Sequence, residues 1–110
     1  MEKARARGYD PGAIESMARS RPDGTRLTWR LTPFPSGVVV PFVIDWGETI
    51  HPSRSAPTGV TLKSLRIEHP DPGSVEPSLN ALGLDIPIGL GPRAALIAEL
   101  ETPVGPRELR

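Results

Sequence analysis

One carboxylate, Asp45, interrupts an otherwise apolar run from Val38 to Trp46. In a ligand cavity, such a side chain acts as a base or accepts a hydrogen bond from a donor on the substrate. At the end of a sheet, it pairs across strands with a cation such as Arg30, or it caps the following turn. We favour the second use, because structural ion pairs also account for many strand carboxylates.

Two indoles, Trp29 and Trp46, lie in the two strongest strand patterns of the chain. An indole supplies apolar area and one hydrogen-bond donor, as cavity-lining residues do. The alternative is that both indoles fill the core, since each shares a strand face with other apolar residues. If the chain binds a small-molecule ligand, the residues that we expect to line the cavity are Trp29, Arg30, Phe42, Asp45, Trp46 and Glu108. No catalytic residue is identified.

The side chains of His51, His69, Asp45, Glu48 and Glu68 offer enough donor atoms for a metal ion. However, no histidine pair has i, i+4 spacing on a helix, and the ligands are not compactly spaced. Each histidine precedes a proline at the end of an element, which favours turn and capping roles. The chain has no cysteine, which excludes disulfides and thiolate sites. We expect no metal or other cofactor unless another module completes a site.

Hydrolytic chemistry has little support in the sequence. Glu99 and Glu101 are candidates for a general acid and base, but they alternate with Ala98 and Leu100, as residues on the solvent-exposed face of a sheet do. No serine has the context of a nucleophile elbow, and no glycine run resembles a phosphate loop.

Composition limits the partners. Thirteen basic and thirteen acidic residues cancel, so no overall field favours nucleic acid or an anionic membrane. No apolar stretch approaches the roughly 20 residues of a membrane helix. The N-terminal residues lack the apolar region of a signal peptide. We therefore expect a cytoplasmic protein without nucleic-acid or membrane partners.

Apolar periodicity and turn residues predict alternating short elements. They are a helix end at 2–8, a strand at 13–19, a Pro22-Asp23-Gly24 turn, a strand at 25–32, a loop at 32–37, strands at 38–46 and 60–69, a helix at about 74–82, and strands near 86–90, 94–101 and 106–109. Ser74 is the predicted N-cap of the second helix, because Pro77 then lies in the first turn and no hydrogen bond is lost.

The predicted elements divide into a truncated first module at 1–50, a linker at 51–59 and a second module at 60–110. Both modules contain a Pro-x-Gly turn at the same place followed by a strand, at Pro22-Asp23-Gly24 and at Pro103-Val104-Gly105, which indicates an internal repeat of about 80 residues. The alternative is that two hairpins use similar turn residues independently.

This pattern resembles the glyoxalase-like branch of the vicinal oxygen chelate (glyoxalase/bleomycin resistance/dioxygenase) superfamily, of which the chain matches only the C-terminal part. The segments that carry the resemblance are 21–31, 41–47, 69–72, 81–84 and 102–105. The resemblance implies an α+β fold of curved, mostly antiparallel sheets, built from paired βαβββ modules around a small-molecule cavity. It also implies that active members use a divalent metal to chelate vicinal oxygens of the substrate.

The chain departs from the family at the positions that the resemblance assigns to metal ligands. These positions fall on Ser64 and Thr28, and Glu108 lies one residue out of register. Hydroxyls are poor ligands for a divalent ion. We therefore expect a domain that binds a small oxygen-rich molecule without a complete metal site. The alternative is a metal-dependent lyase or dioxygenase completed by a second module or subunit.

A truncated module would leave a strand edge and an apolar face open. We therefore expect a homo-oligomer such as a dimer, or pairing with a missing upstream module.

Overall fold

The computed structural model describes residues 2–34 and 39–110, and predictions for positions 35–38 lie outside the described residues. In the first half of the chain the elements are α1 (Glu2–Ala6), β1 (Glu15–Ser20), β2 (Arg26–Leu31) and β3 (Ile44–Asp45). A 3₁₀ turn (Pro52–Arg54) precedes the second half, whose elements are β4 (Thr61–His69), α2 (Pro72–Ala81), β5 (Ile88–Leu90), β6 (Ala95–Thr102) and β7 (Gly105–Leu109). The α+β class is as predicted.

The second half forms a four-stranded sheet in the order β5-β4-β6-β7. β4 and β5 are parallel, while β4 with β6 and β6 with β7 are antiparallel. Parallel neighbours need a crossover connection, and α2 provides it. The second half is therefore a strand-helix-strand-strand-strand unit, the predicted βαβββ order.

A small core lies between α2 and this sheet. Ile67 of β4 and Leu79 of α2 are each 1% exposed, and Val75 is also buried. Val39, from the first half of the chain, packs into the same cluster. The two halves therefore share apolar packing.

Helix α2 begins at Pro72, with Asp71 as its N-cap, so the predicted start at Ser74 was wrong. Proline suits the first helical position, because its φ is preset and its missing N–H is not needed there. The backbone N–H of Ser74 (3.2 Å) and its hydroxyl (2.8 Å) both donate to the Asp71 carbonyl. These bonds fix the first turn at Asp71, and Pro77 therefore lies inside the helix, where it removes one backbone hydrogen bond.

The predicted strand at 38–46 is much shorter in the structure. In the described part of this segment, only Ile44–Asp45 pairs with β2. Beyond it, the Val43 N–H donates to the Thr32 hydroxyl at 2.9 Å, so a side chain replaces a backbone partner. Pro41 has no N–H with which to continue a ladder. Val38 and part of the predicted loop lie outside the described residues.

The first half forms a three-stranded antiparallel sheet in the order β1-β2-β3. Apolar residues of β2 are more buried than the polar residues between them, which confirms the predicted alternation: Leu27, Trp29 and Leu31 against Arg26, Thr28 and Arg30. In the preceding turn, the Asp23 carboxylate accepts the Thr25 N–H at 2.9 Å. Gly24 has a φ of +86°, which explains the glycine there.

Both helices end with the same geometry. Gly8 and Gly83 have positive φ, +90° and +77°, and each donates its N–H over 3.0 Å to the carbonyl three residues earlier. The next residue, Tyr9 or Leu84, donates to the carbonyl five residues earlier, at 3.0 and 2.9 Å. The C-terminal ends of α1 and α2 therefore both adopt the Schellman motif. The internal repeat and the division at 51–59 stay predictions.

The molecule is thin. Its Cα radius of gyration is 16.4 Å and its extents are 46 × 43 × 19 Å. A compact chain of this length would have a radius of about 13 Å. Both sheets therefore keep a broad face in contact with solvent. No helix in the described ranges is long and apolar enough to span a bilayer.

Candidate functional site

An open groove of about 560 Å³ lies along the first sheet, lined by β1, β2 and residues 45–48. Four of the six predicted cavity residues border it, namely Trp29, Arg30, Asp45 and Trp46. Phe42 does not, and instead packs edge-to-face with Phe34 at a centroid distance of 4.6 Å. Glu108 lies on β7 in the other sheet. The structure therefore separates the predicted set into two places.

The polar face of β1 and β2 contributes five residues to the groove lining, namely Ser16, Ala18, Arg26, Thr28 and Arg30. Ala18 pairs with Thr28, and Ser16 pairs with Arg30. Directly opposite residues share one face of an antiparallel sheet. Arg26 begins the same row on β2 and also lines the groove. Two guanidinium groups therefore flank a stretch of small side chains, and the space above that stretch is open.

Asp45 performs both of the structural roles considered from the sequence. It lies directly opposite Arg30 in the sheet, and the Arg30 Nη2 donates to its Oδ2. Its other oxygen, Oδ1, accepts the Gly47 N–H at 2.9 Å and so caps the turn. The Arg30 hydrogen bond, followed by that of Gly47, holds the pKa of the Asp45 carboxyl below its ordinary value. A carboxylate held in this way is a poor proton acceptor near neutral pH.

The two indoles form an aromatic cluster beside the groove. Their ring centroids lie 5.3 Å apart with a tilt of 43°, and the His51 ring lies 5.4 Å from Trp46. Alternation along β2 directs Trp29 to the face opposite Arg30. The two indoles pack against each other, and both residues also contribute to the lining of the groove.

Both histidines perform local turn roles, as the sequence suggested. The Nδ1 of His51 accepts the Ser53 N–H at 3.1 Å and caps the 3₁₀ turn. The Nδ1 of His69 accepts the Asp71 N–H at 2.9 Å, just before α2. Each nitrogen is therefore engaged by the backbone of its own turn.

The second sheet carries a network of charged side chains around Glu108. Arg66 on β4 lies 3.5 Å from Glu99 and 3.7 Å from Glu108, measured between guanidinium nitrogen and carboxylate oxygen. Arg110 donates to Glu108 at 2.8 Å and approaches Glu68 at 3.6 Å. The hydrogen bond from Arg110, with the charges of Arg110 and Arg66, holds the pKa of Glu108 below its ordinary value.

This donor set does not fit the divalent metal that the resemblance implies. In residues 2–34 and 39–110, no three His, Cys, Asp or Glu side chains converge as metal donors. Glu108 and Glu99 instead share a guanidinium, and the position facing Glu99 on β4 is a serine, Ser64. A cation, the Arg66 guanidinium, is therefore already present beside both carboxylates.

Three arginines in these arrangements, Arg26, Arg66 and Arg110, were not among the predicted site residues. Arg26 had a usable signal, because it shares the strand face of Arg30 at a spacing of four residues. The sequence carried no such signal for Arg66, because its partners Glu99 and Glu108 lie on strands far along the chain.

Comparison with known proteins identifies the family. Neither a search of curated proteins nor a search of solved structures returned a match. A family model described as a glyoxalase-like domain matches residues 1–83. The match includes the first sheet, the groove, β4 and α2, and it confirms the resemblance seen in the sequence. Because it spans well over half of the chain, the protein belongs to the glyoxalase-like domain family.

Proposed function

We propose that this domain binds a small oxygen-rich molecule carrying a carboxylate, in the groove of the first sheet. The observation that carries the proposal is the pair of guanidinium groups, Arg26 and Arg30, on one face above small side chains. Guanidinium groups present parallel N–H donors that match a carboxylate in bidentate geometry. The hydroxyl of Ser16 adds a donor for a further ligand oxygen.

The two arginines have different parts in the proposed site. Arg30 is held by Asp45, so its position is set before a ligand arrives. Across the part of the chain that the structure describes, no carboxylate lies within 4.0 Å of Arg26. Arg26 is therefore the cation available to a ligand, and Arg30 is a positioning cation and secondary donor.

A ligand screen with a matched pair of variants tests the proposal. The probes are lactate, pyruvate and malonate, with glycerol as the uncharged comparison, detected by saturation-transfer NMR and by tryptophan fluorescence. Arg26→Gln should raise the Kd of a binding carboxylate at least tenfold, because the bidentate contact is lost. Arg19→Gln is the control, since Arg19 pairs with Leu27 on the opposite face of the same sheet. Equal losses in both variants, or no binding of any carboxylate by the native protein, would refute the proposal.

A competing hypothesis is a metal-dependent lyase or dioxygenase whose site a second module or subunit completes. Family membership favours it. It requires donors from outside this chain, because the carboxylate of Glu108 is engaged by two arginines. Stoichiometric divalent metal in the purified protein, together with a rise in Tm on adding the same metal, would support it. If the purified protein holds no stoichiometric metal and added metal leaves its Tm unchanged, the hypothesis of a metal-dependent enzyme is refuted.

A further inference from the structure

The groove of the first sheet is bordered by a carboxylate that its neighbours do not engage. Its lining includes two acidic residues, Asp45 and Glu48. Both oxygens of Asp45 are occupied, one by Arg30 and the other by the Gly47 N–H. In residues 2–34 and 39–110, no basic side chain lies within 4.0 Å of the Glu48 carboxylate. Glu48 is therefore the acidic side chain of the lining that a ligand can engage.

The turn that carries Glu48 is fastened to β2. The Thr49 N–H donates to the Trp46 carbonyl at 2.9 Å and closes a four-residue turn with Glu48 at its third position. The Thr49 hydroxyl donates to the Thr28 carbonyl at 2.8 Å and accepts the Thr28 N–H at 3.3 Å. One side chain thus holds both backbone groups of a residue in the middle of β2. The backbone of Glu48 is therefore held at the edge of the groove before a ligand arrives.

Arg26 lies close to this anchoring point. It precedes Thr28 by two residues on the same face of β2, a distance of about 7 Å along the strand. Arg26 and Glu48, both in the described part of the chain, border the groove without an ion pair between them. Opposite charges that share a groove of about 560 Å³ without meeting leave space for a ligand between them. A ligand that carries both charges is complementary to this arrangement.

We infer that the groove selects a zwitterion, a small molecule of the amino-acid type whose carboxylate binds Arg26 and whose ammonium binds Glu48. The inference rests on the proposed carboxylate site and adds a second determinant to it. An ammonium has three donors and no acceptor, so it needs an acceptor such as a carboxylate. Its hydrogen bond to a carboxylate has both partners charged, whereas a ligand hydroxyl in the same place brings no charge of its own. Glu48 therefore distinguishes an amino acid from a hydroxy acid of the same shape.

Two matched pairs of probes isolate the ammonium. L-Alanine and L-lactate differ in an ammonium against a hydroxyl, and γ-aminobutyrate and γ-hydroxybutyrate repeat the comparison on a longer chain. Each Kd is measured by titration with saturation-transfer NMR. In at least one pair, the native protein should bind the amino acid about fivefold more tightly, the size expected of an ion pair in an open groove.

A matched pair of variants assigns the preference to one residue. Glu48→Gln should remove the preference and leave the Kd of the hydroxy acid unchanged. Glu15→Gln is the control, because Glu15 pairs with Leu31 in the same sheet and does not border the groove. Glu15→Gln should keep the preference of the native protein. Added NaCl should weaken the preference of the native protein, because salt screens an exposed ion pair.

Four results would overturn the inference: equal Kd values within both pairs, a preference that survives Glu48→Gln, an equal loss in Glu15→Gln, or a preference that does not change with salt. The salt titration needs only the native protein, so the test does not depend on the folding of a variant. Binding of a hydroxy acid without preference for its amino acid refutes the zwitterion and leaves the proposed carboxylate site standing. Binding of none of the four probes and no malonate refutes both.

Discussion

Truncating Leu79 tests whether the two halves of the chain unfold as one unit. Leu79 is 1% exposed in a cluster with Ile67, Val75 and Val39. Leu-to-Ala changes at buried positions cost about 2–5 kcal/mol. Because the cluster is small and the molecule thin, its neighbours can partly collapse into the space, and we expect about 3 kcal/mol. That is a large share of the roughly 5–15 kcal/mol that holds a domain folded.

The assay uses the position of the tryptophans. Trp29 and Trp46 both lie in the first half, while Leu79 lies in the second. Fluorescence therefore reports on the first half, and far-UV circular dichroism on the whole chain. With a urea m value of about 1.5 kcal/mol/M, the midpoint of Leu79→Ala should fall by about 2 M. Since Val39 links the halves, both signals should shift together.

Leu90→Ala is the control, because Leu90 on the same sheet is 78% exposed. Its free energy of unfolding should change by less than about 0.5 kcal/mol. A fluorescence midpoint that stays in place while the circular dichroism midpoint falls would refute the coupling. That result would instead support the predicted division of the chain at residues 51–59.

Three further outcomes are expected. The folded-state pKa of Asp45 lies below its ordinary value of 3.8, because the carboxylate accepts hydrogen bonds from Arg30 and Gly47. The stability that these bonds give the folded protein is therefore fully present above that pH, and it is lost as the pH falls through the folded-state pKa. The Tm difference between the native protein and Asp45→Asn should therefore be largest above about pH 4 and should close under more acidic conditions, in melts from pH 6 downward; a constant difference would contradict this. Gly24→Ala should destabilise the protein by about 1 kcal/mol, because residue 24 has a positive φ. Gly73→Ala in α2 should instead stabilise it by about 0.5 kcal/mol. Chemical denaturation measures the free energy of unfolding of both variants, and a change of the same sign in both would contradict this expectation. The exposed edge strand β1 should support self-association, seen as a concentration-dependent sedimentation coefficient, and a monodisperse monomer would exclude it.

Local signals in the sequence were sufficient for several elements. The alternation of β2 needed only the identity of successive residues, because side chains of a strand point to opposite faces. The Pro22-Asp23-Gly24 turn and the helix end at Gly83 depend on backbone preferences of one or two residues. The Arg30–Asp45 pair was accessible as one of two readings, since both residues lie in adjacent predicted strands.

Competition between local signals was decided by contacts that the sequence does not display. The position of Pro77 indicated Ser74 as the helix cap, but the bonds to the Asp71 carbonyl selected the earlier start. The apolar run before Asp45 indicated a long strand, but the hydroxyl of Thr32 took the place of a backbone partner.

The charged row of the second sheet was decided by tertiary structure alone. Arg66 meets Glu99 and Glu108 only because β4, β6 and β7 are neighbours and because an irregularity between Leu62 and Ser64 sets their register. A shift of one residue would turn each of these side chains to the other face. The sequence by itself determined the family, the element types and the polar face of β2, since those depend on neighbouring residues. Which charges meet across the sheets depends on strand register, and only the folded chain specifies it.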